Sequence, residues 1–361
     1  MLYFLSEMSE KFAFLSSIYL RAFLGFFLAF IIVIIAGRPF IKYLKKKKYG
    51  ETIRTEGPQS HFSKKGTPTM GGVLIIAAVL IANMIAGNLK NSYTILMIVV
   101  TILFSGIGFI DDYKKFTVNK KGLSGRKKLL GQGVIAFLVW IFISLAERGN
   151  VPQINYSVVN PFVNGSYFYL GALGMLIFIS LVLMGSSNAV NITDGLDGLA
   201  IMPVIISALI FATLAYFTGH TVLSEHLNLY YINGVGELTV FLSSVCGAGL
   251  GFLWYNFYPA QIFMGDTGSL TLGGILGTVA ILLRQELLLP IVGAVFVIET
   301  ASVIIQVASF RGRGKRIFKM APIHHHFELK GLPETKVTMR FWIVSIMCGI
   351  LALGIIRMRG I

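Results

Sequence analysis

Five aspartates stand at the ends of apolar stretches: Asp111 and Asp112 in FSGIGFIDDYKK, Asp194 and Asp197 in NAVNITDGLDGL, and Asp266 in FMGDTGSL. The chain has 16 acidic residues in all, so five at the boundaries of hydrophobic segments is a concentration that asks for a functional reading. Carboxylates close to hydrocarbon are costly and usually functional. Where several converge beside basic loops, the chemistry they suit is a magnesium site that handles phosphates.

Each group also has a bland reading. Asp111 and Asp112 repel each other, and keeping both ionised at a membrane boundary takes a cation or basic neighbours. Lys114, Lys115, Lys120 and Lys121 follow closely. A solvated helix end is the alternative, but an acidic pair there opposes the helix dipole. A helix starting at Asp194 would put Asp194 and Asp197 on one face. Asn188 and Asn191 precede them, and Gly195 and Gly198 permit close backbone approach to a ligand. An N-cap would need one carboxylate, not two with two asparagines. Asp266 lies between glycines, beside Thr267 and Ser269, at the predicted start of a helix. A phosphate could sit there beside a metal, with capping again the alternative. APIHHHFELKG carries His324, His325 and His326. Successive side chains on a helix point about 100° apart, so the three cannot face one ion. Phosphate or nucleobase contacts suit them better than a transition metal. Walker A and Rossmann glycine fingerprints are absent. Phosphates would then be held by metal and by Lys64, Lys121, Lys128, Arg311, Arg313 and Arg316.

The elements that must position these residues are membrane helices. Hydrophobic residues make up 55% and charged residues 13% of 361, in repeated runs of spanning length, which gives an all-α polytopic membrane protein. The 39 glycines suit close helix packing in a bilayer. Ten spans are expected near 17–37, 70–88, 94–110, 129–146, 167–184, 198–217, 236–253, 268–283, 287–308 and 341–358. Arg284, Gln285 and Glu286 give a short break before the ninth, and Pro290 and Gly293 can kink it. The segment MLYFLSEMSEKFAFLSS has Glu7 and Glu10 ahead of any basic residue and no small-residue cleavage site. It reads as an interfacial helix leading into the first span, not as a signal peptide.

Three loops, 38–69, 111–128 and 309–340, hold 24 of the 31 Lys and Arg residues. With ten spans all three fall on one side, which the positive-inside rule makes cytoplasmic. Both termini then face outside, in the periplasm, and all five aspartates lie on the cytoplasmic face. That distribution assigns the net charge of +15 to topology and anionic ligands and excludes nucleic acid as the reason for it. Cys246 and Cys348 sit in apolar surroundings, so a disulfide framework is excluded. No internal repeat is evident, and residues 1–361 read as a single integral-membrane domain.

The strings HFSKKGTPTMGG, FIDDYKK, NAVNITDGLDGLA, WYNFYPAQIFMGDTGSL and APIHHHFELKG resemble the phospho-N-acetylmuramoyl-pentapeptide transferases. These belong to the polyprenyl-phosphate hexosamine-1-phosphate transferases, and the resemblance runs in order from residue 38 to the last span. GTPTMGG and HHH favour this branch over its relatives. The resemblance implies a bacterial inner-membrane enzyme of peptidoglycan biosynthesis. It would join UDP-MurNAc-pentapeptide and undecaprenyl phosphate to give lipid I and UMP with Mg²⁺. It implies that Asp111 and Asp112 serve the lipid phosphate, Asp111 as base or as charge positioner, and that Asp266 ligates Mg²⁺. It further implies that Lys64, Asn188, Asp194, Gly195, Leu196, Asp197, Asn256, Phe263 and Gln306 line the nucleotide site. Lys121, Lys128, His324 and His325 would contact phosphates or sugar. A homodimer is implied as well.

Phosphoryl transfer asks mainly for alignment and charge neutralisation, which such a set supplies. One-step transfer and a covalent phospho-aspartate route are both chemically open. The acceptor needs an apolar groove open to the bilayer, and a kinked ninth span near Pro290 would provide one. Two other readings compete. One is a transferase for UDP-N-acetylglucosamine or another hexosamine. The other is an anion transporter or lipid flippase, which the sequence disfavours because Glu299 is the one acidic residue clearly inside a span.

Overall fold

The computed structural model describes residues 1–47, 64, 66–117, 122–145 and 155–358. Helices α1 (Leu2–Met8) and α2 (Ile18–Lys46) are joined by a 3₁₀ turn, Glu10–Ser16. Then come α3 (Gly72–Ala86), α4 (Ser92–Thr117) and α5 (Gly125–Leu145). A small antiparallel hairpin follows, β1 (Ser157–Val159) and β2 (Tyr167–Tyr169), with Val158 opposite Phe168. The rest is helical: α6 (Gly171–Thr193), α7 (Ile201–Thr218), α8 (Thr221–His226), α9 (Leu238–Asn256), α10 (Gly265–Leu282), α11 (Leu289–Val292), α12 (Ala294–Arg313), α13 (Ile323–Glu328) and α14 (Glu334–Met358).

Nine helices among the described residues are long and apolar enough to cross a membrane. The segment expected to span at 70–88 is α3, which has 15 residues. That is about 22 Å at the helical rise, against a hydrocarbon core of about 30 Å. The ninth expected span breaks at Gly293 into α11 and α12, with Pro290 in the first turn of α11. Several helices outrun the expected boundaries. Lysine-rich ends carry α2 to Lys46 and α4 to Thr117, past the apolar runs and into the basic loops.

At the centre stands α10, in which every residue after Gly265 is buried. Its hydroxyls fold back onto its own backbone: Thr271 donates to the Thr267 carbonyl at 2.6 Å and Thr278 to that of Gly274 at 2.7 Å. That satisfies polar side chains without outside partners. Its glycines let neighbours come close. A Cβ at Gly273 would collide with the Ser186–Ser187 backbone of α6, and one at Gly268 with Gly72 of α3. Small residues at such crossings allow backbone approach that larger ones forbid.

The bundle has two chemically distinct ends. At one, Arg21 at the start of α2 donates both terminal nitrogens to Glu237 at 2.7 and 2.6 Å, with Arg21 fully buried. The Met1 amino group donates to the Met84 carbonyl at the end of α3. At the other end the C-terminal parts of α4 and α6 meet the N-terminus of α10. There the acidic residues gather.

A carboxylate and lysine cluster as the candidate active site

Asp111, Asp112 and Asp266 each offer a carboxylate oxygen within 4.8 Å of the others, and all three are buried. Two lysines thread the group. Lys115 Nζ stands 2.7 Å from Asp111, 2.9 Å from Asp266 and 3.7 Å from Asp112. Lys128 Nζ, from the first turn of α5, stands 3.0 Å from Asp111 and 2.6 Å from Asp266. Three carboxylates against two ammonium groups leave a local negative balance, so the site favours further positive charge.

The two adjacent aspartates do different work. Asp112 accepts from the backbone N–H of Asp266 at 3.1 Å and of Thr267 at 2.9 Å, and from the Thr267 hydroxyl at 2.7 Å. It therefore caps α10 from a neighbouring helix. The capping alternative for Asp266 is not realised, and its side chain turns toward the lysines. Asp111 accepts from the Leu123 N–H at 2.6 Å on one oxygen, while the other faces the lysines. Gly265 makes the geometry possible. Its φ of +74° suits glycine, and a Cβ there would strike Asp112 and Thr69.

A second cluster lies across the segment 257–264. Lys64 bridges Asp197 at 2.6 Å and Glu334 at 2.5 Å. Burial works against the lysine charge, but the Glu334 and Asp197 carboxylates outweigh it and hold Lys64 above the ordinary lysine range. Asp197 also accepts from the Ala260 N–H, and its own N–H donates to Glu334. Asn256 ties residue 198 to the segment that leads into α10: it accepts from the Gly198 N–H at 3.1 Å and donates to the Ile262 carbonyl at 2.9 Å. Phe263, next in line, pairs through its backbone with Pro68 and Gly71.

The remaining expected site residues are scattered more widely. Asp194 and Asp197 do not share a helix face, because α6 ends at Thr193 and residues 194–200 form turns before α7. Asp194 is the C-cap of α6, not an N-cap. Gly195 is exposed, whereas Leu196 is buried with Leu199 and Val337. Asn188 donates to Gln132 at 3.0 Å, and Asn191 accepts from Ser269 at 3.2 Å. Gln306 accepts from the N–H groups of Ile317 and Phe318 and donates to the Phe318 carbonyl, which braces the turn after α12.

His324 is fully buried against Glu299, and His325 pairs with Glu328 at 2.9 Å. His326 accepts from the Lys319 N–H at 3.1 Å. Burial, then Lys330 and Lys319, push it below the ordinary histidine range, which agrees with a neutral ring accepting there. Lys121 lies outside the described residues.

Sequence reasoning placed neither Lys115 nor Glu334 in the site. Lys115 carried a signal, since it sits one helical turn beyond Asp111 and Asp112. Glu334 carried none, being joined to Asp197 only by the fold. Beside Glu334 a cavity of about 400 Å³ is lined by Tyr258, Glu328 and the 331–335 turn. A separate groove of about 260 Å³, lined by Val295, Ile298, Phe327, Val337 and Val344 with Arg340 at its edge, runs between α12, α13 and α14.

The donor set fits a hard divalent cation. All three groups are carboxylates, the ligand type that Mg²⁺ prefers, and their oxygens lie within 4.8 Å of one another.

Residues 94–284 match the family model described as glycosyl transferase family 4. Residues 64–76, which enter α3, match signature 1 of the phospho-N-acetylmuramoyl-pentapeptide-transferases. A curated relative from Fusobacterium nucleatum subsp. nucleatum, named phospho-N-acetylmuramoyl-pentapeptide-transferase, is 65% identical over 361 residues, covering the whole of both chains.

Proposed function

Because the chain belongs to the phospho-N-acetylmuramoyl-pentapeptide-transferase branch of glycosyl transferase family 4, we propose that it transfers phospho-MurNAc-pentapeptide from UDP-MurNAc-pentapeptide to undecaprenyl phosphate, giving lipid I and UMP. It is a multi-pass protein of the bacterial inner membrane and a phosphoglycosyl transferase. The observation that carries the reading is the meeting of Asp111, Asp112 and Asp266 with Lys115 and Lys128 in a chain matched to that relative end to end.

In this reading the aspartate end faces the cytoplasm, supported by the sequence bias that puts 24 of 31 basic residues in the segments 38–69, 111–128 and 309–340. Asp266 and Asp111 would hold Mg²⁺, which when bound neutralises diphosphate charge and stabilises the leaving UMP. Lys115 and Lys128 are poised to neutralise the phosphate groups brought together. A phosphate monoester is already largely ionised near pH 7, so the nucleophile needs little deprotonation. Asp111 then serves to hold the two lysines in place. Asp112 sets the position of Asp266 by capping α10. Lys64, Asp197 and Asn256 would receive the nucleotide and sugar, with Asn188, Asp194, Gly195, Phe263 and His325 as further contacts implied by the family. The apolar groove beside α12 would take the polyprenyl tail, with Arg340 near its phosphate end. Photo-crosslinking lipid phosphates that labelled neither the 287–308 segment nor α14 would remove that groove. We also propose a homodimer, to be read by mass photometry in detergent.

The deciding experiment is UMP release by purified protein given UDP-MurNAc-pentapeptide, undecaprenyl phosphate and Mg²⁺, beside a tube with UDP-N-acetylglucosamine. Release that needs the muramoyl donor, the lipid and the metal supports the proposal. Release with the other sugar alone would move the protein to the hexosamine branch. No release from folded protein would bring back the transport reading.

A further inference from the structure

We infer that Glu299 is a positioning residue for the transfer reaction, acting through His324 on the Gly195 turn and on His325. The inference rests on the function proposed above. Glu299 lies inside α12 with no exposure, where an ionised carboxylate is expensive. Its one ion-pair partner among the described residues is His324, whose Nδ1 stands 3.1 Å from Oε2 and whose ring is equally buried. The far side of that ring bears on the nucleotide turn: a Cβ on Gly195 would collide with His324 Nε2. The ring also packs against that of His325, with centroids 4.1 Å apart and planes inclined at 60°. His325 keeps 15% side-chain exposure and is the member of the pair that a ligand can reach. His324 is thus a post between Glu299 and two groups assigned to the donor substrate.

Charge fixes the state of the post. A buried pair is tolerable when neutral overall. That holds for carboxylate with imidazolium and for carboxylic acid with neutral imidazole. Both place a hydrogen on Nε2: in the first both ring nitrogens are protonated, and in the second Nδ1 accepts from the carboxylic acid. Carboxylate with neutral imidazole would leave a net buried charge. A glutamine at 299 can donate its amide N–H to Nδ1 and preserve both neutrality and the Nε2 hydrogen. A leucine can do neither.

The test uses the full chain in detergent, with UMP release from UDP-MurNAc-pentapeptide and undecaprenyl phosphate. Glu299→Leu should raise KM for the donor about tenfold or more and leave KM for the lipid unchanged. Glu299→Gln should stay within about threefold of the parent. His324→Ala combined with Glu299→Leu should be no worse than His324→Ala alone, since Glu299 acts through His324. An unchanged donor KM alongside a lower melting temperature would overturn the inference and leave a structural tie between α12 and α13. Additive losses in the double variant would overturn it too. Should Glu299→Leu fail to fold, Glu299→Asp draws His324 away by one methylene, and the same rise in donor KM is expected; a parent-like KM there overturns the inference. Failure of the parent protein to release UMP would strike the proposed reaction instead.

Discussion

At the scale of single residues, Asp112 and Asp266 are neighbours with separable work. Asp112 satisfies two backbone N–H groups and one hydroxyl at the head of α10. Asp112→Ala should therefore lower stability by about 1–2 kcal/mol, seen as an earlier melt in detergent, in addition to any loss of activity. Asp266 caps nothing and faces lysines. Asp266→Asn should melt like the parent, lose UMP release and lose its magnesium dependence. Retained activity with a normal magnesium response would take Asp266 out of the metal site. Lys64 gives a prediction in pH. Its folded value lies above the ordinary 10.5, so its bridges contribute fully below that value and fade only as pH rises beyond it. Lys64→Met should then cost the same stability in neutral and in mildly alkaline buffer. A loss that shrank toward alkaline buffer would contradict the bridge.

At the scale of elements, the close approach of α4 to the head of α10 depends on Gly108. A Cβ there would press into the backbone of Asp266 and Thr267. Gly108→Ala should cost about 1–3 kcal/mol and depress activity, because the same displacement shifts Asp266. A variant with parent-like melting and activity would show that the helices can part freely. Most helices were legible in the sequence because apolar runs in a membrane protein have few alternatives to helix. What escaped was set by partners remote in the chain. Nothing near Asp266 reveals that its helix is capped by Asp112, and nothing near Asp194 reveals that α6 stops at Thr193. The shortness of α3 escaped for a related reason: hydropathy runs on through 70–88, but Gly72 must abut Gly268 and the preceding backbone pairs with Phe263 and Met264. The acidic half of the site was readable from residue type. The pairing of Lys64 with Glu334 was not, because sequence distance hides it.

At the scale of the molecule, topology turns on that short helix. If α3 crosses, ten crossings return both termini to the same side. Tags at the two ends should then both react with an impermeant reagent applied from outside the cell. Reaction of just one would mean that α3 or the α11–α12 pair does not cross. The buried Arg21–Glu237 pair fastens the opposite end of the bundle, and removing one partner would strand the other. Arg21→Met should cost about 3–5 kcal/mol, and adding Glu237→Leu should recover much of it. The α10 cap has a further meaning in time. Asp112 and the N–H groups it receives are 154 and 155 positions apart in the chain. During synthesis the α4 carboxylates emerge long before their helix partner exists, with Lys115, already on α4, to accompany them. The reaction centre comes into being when α10 inserts into a bundle already half made. A nascent chain halted before Gly265 should therefore be a membrane-inserted but chemically silent protein, with α13 and α14 still to bring His325 and Glu334 to the second cluster.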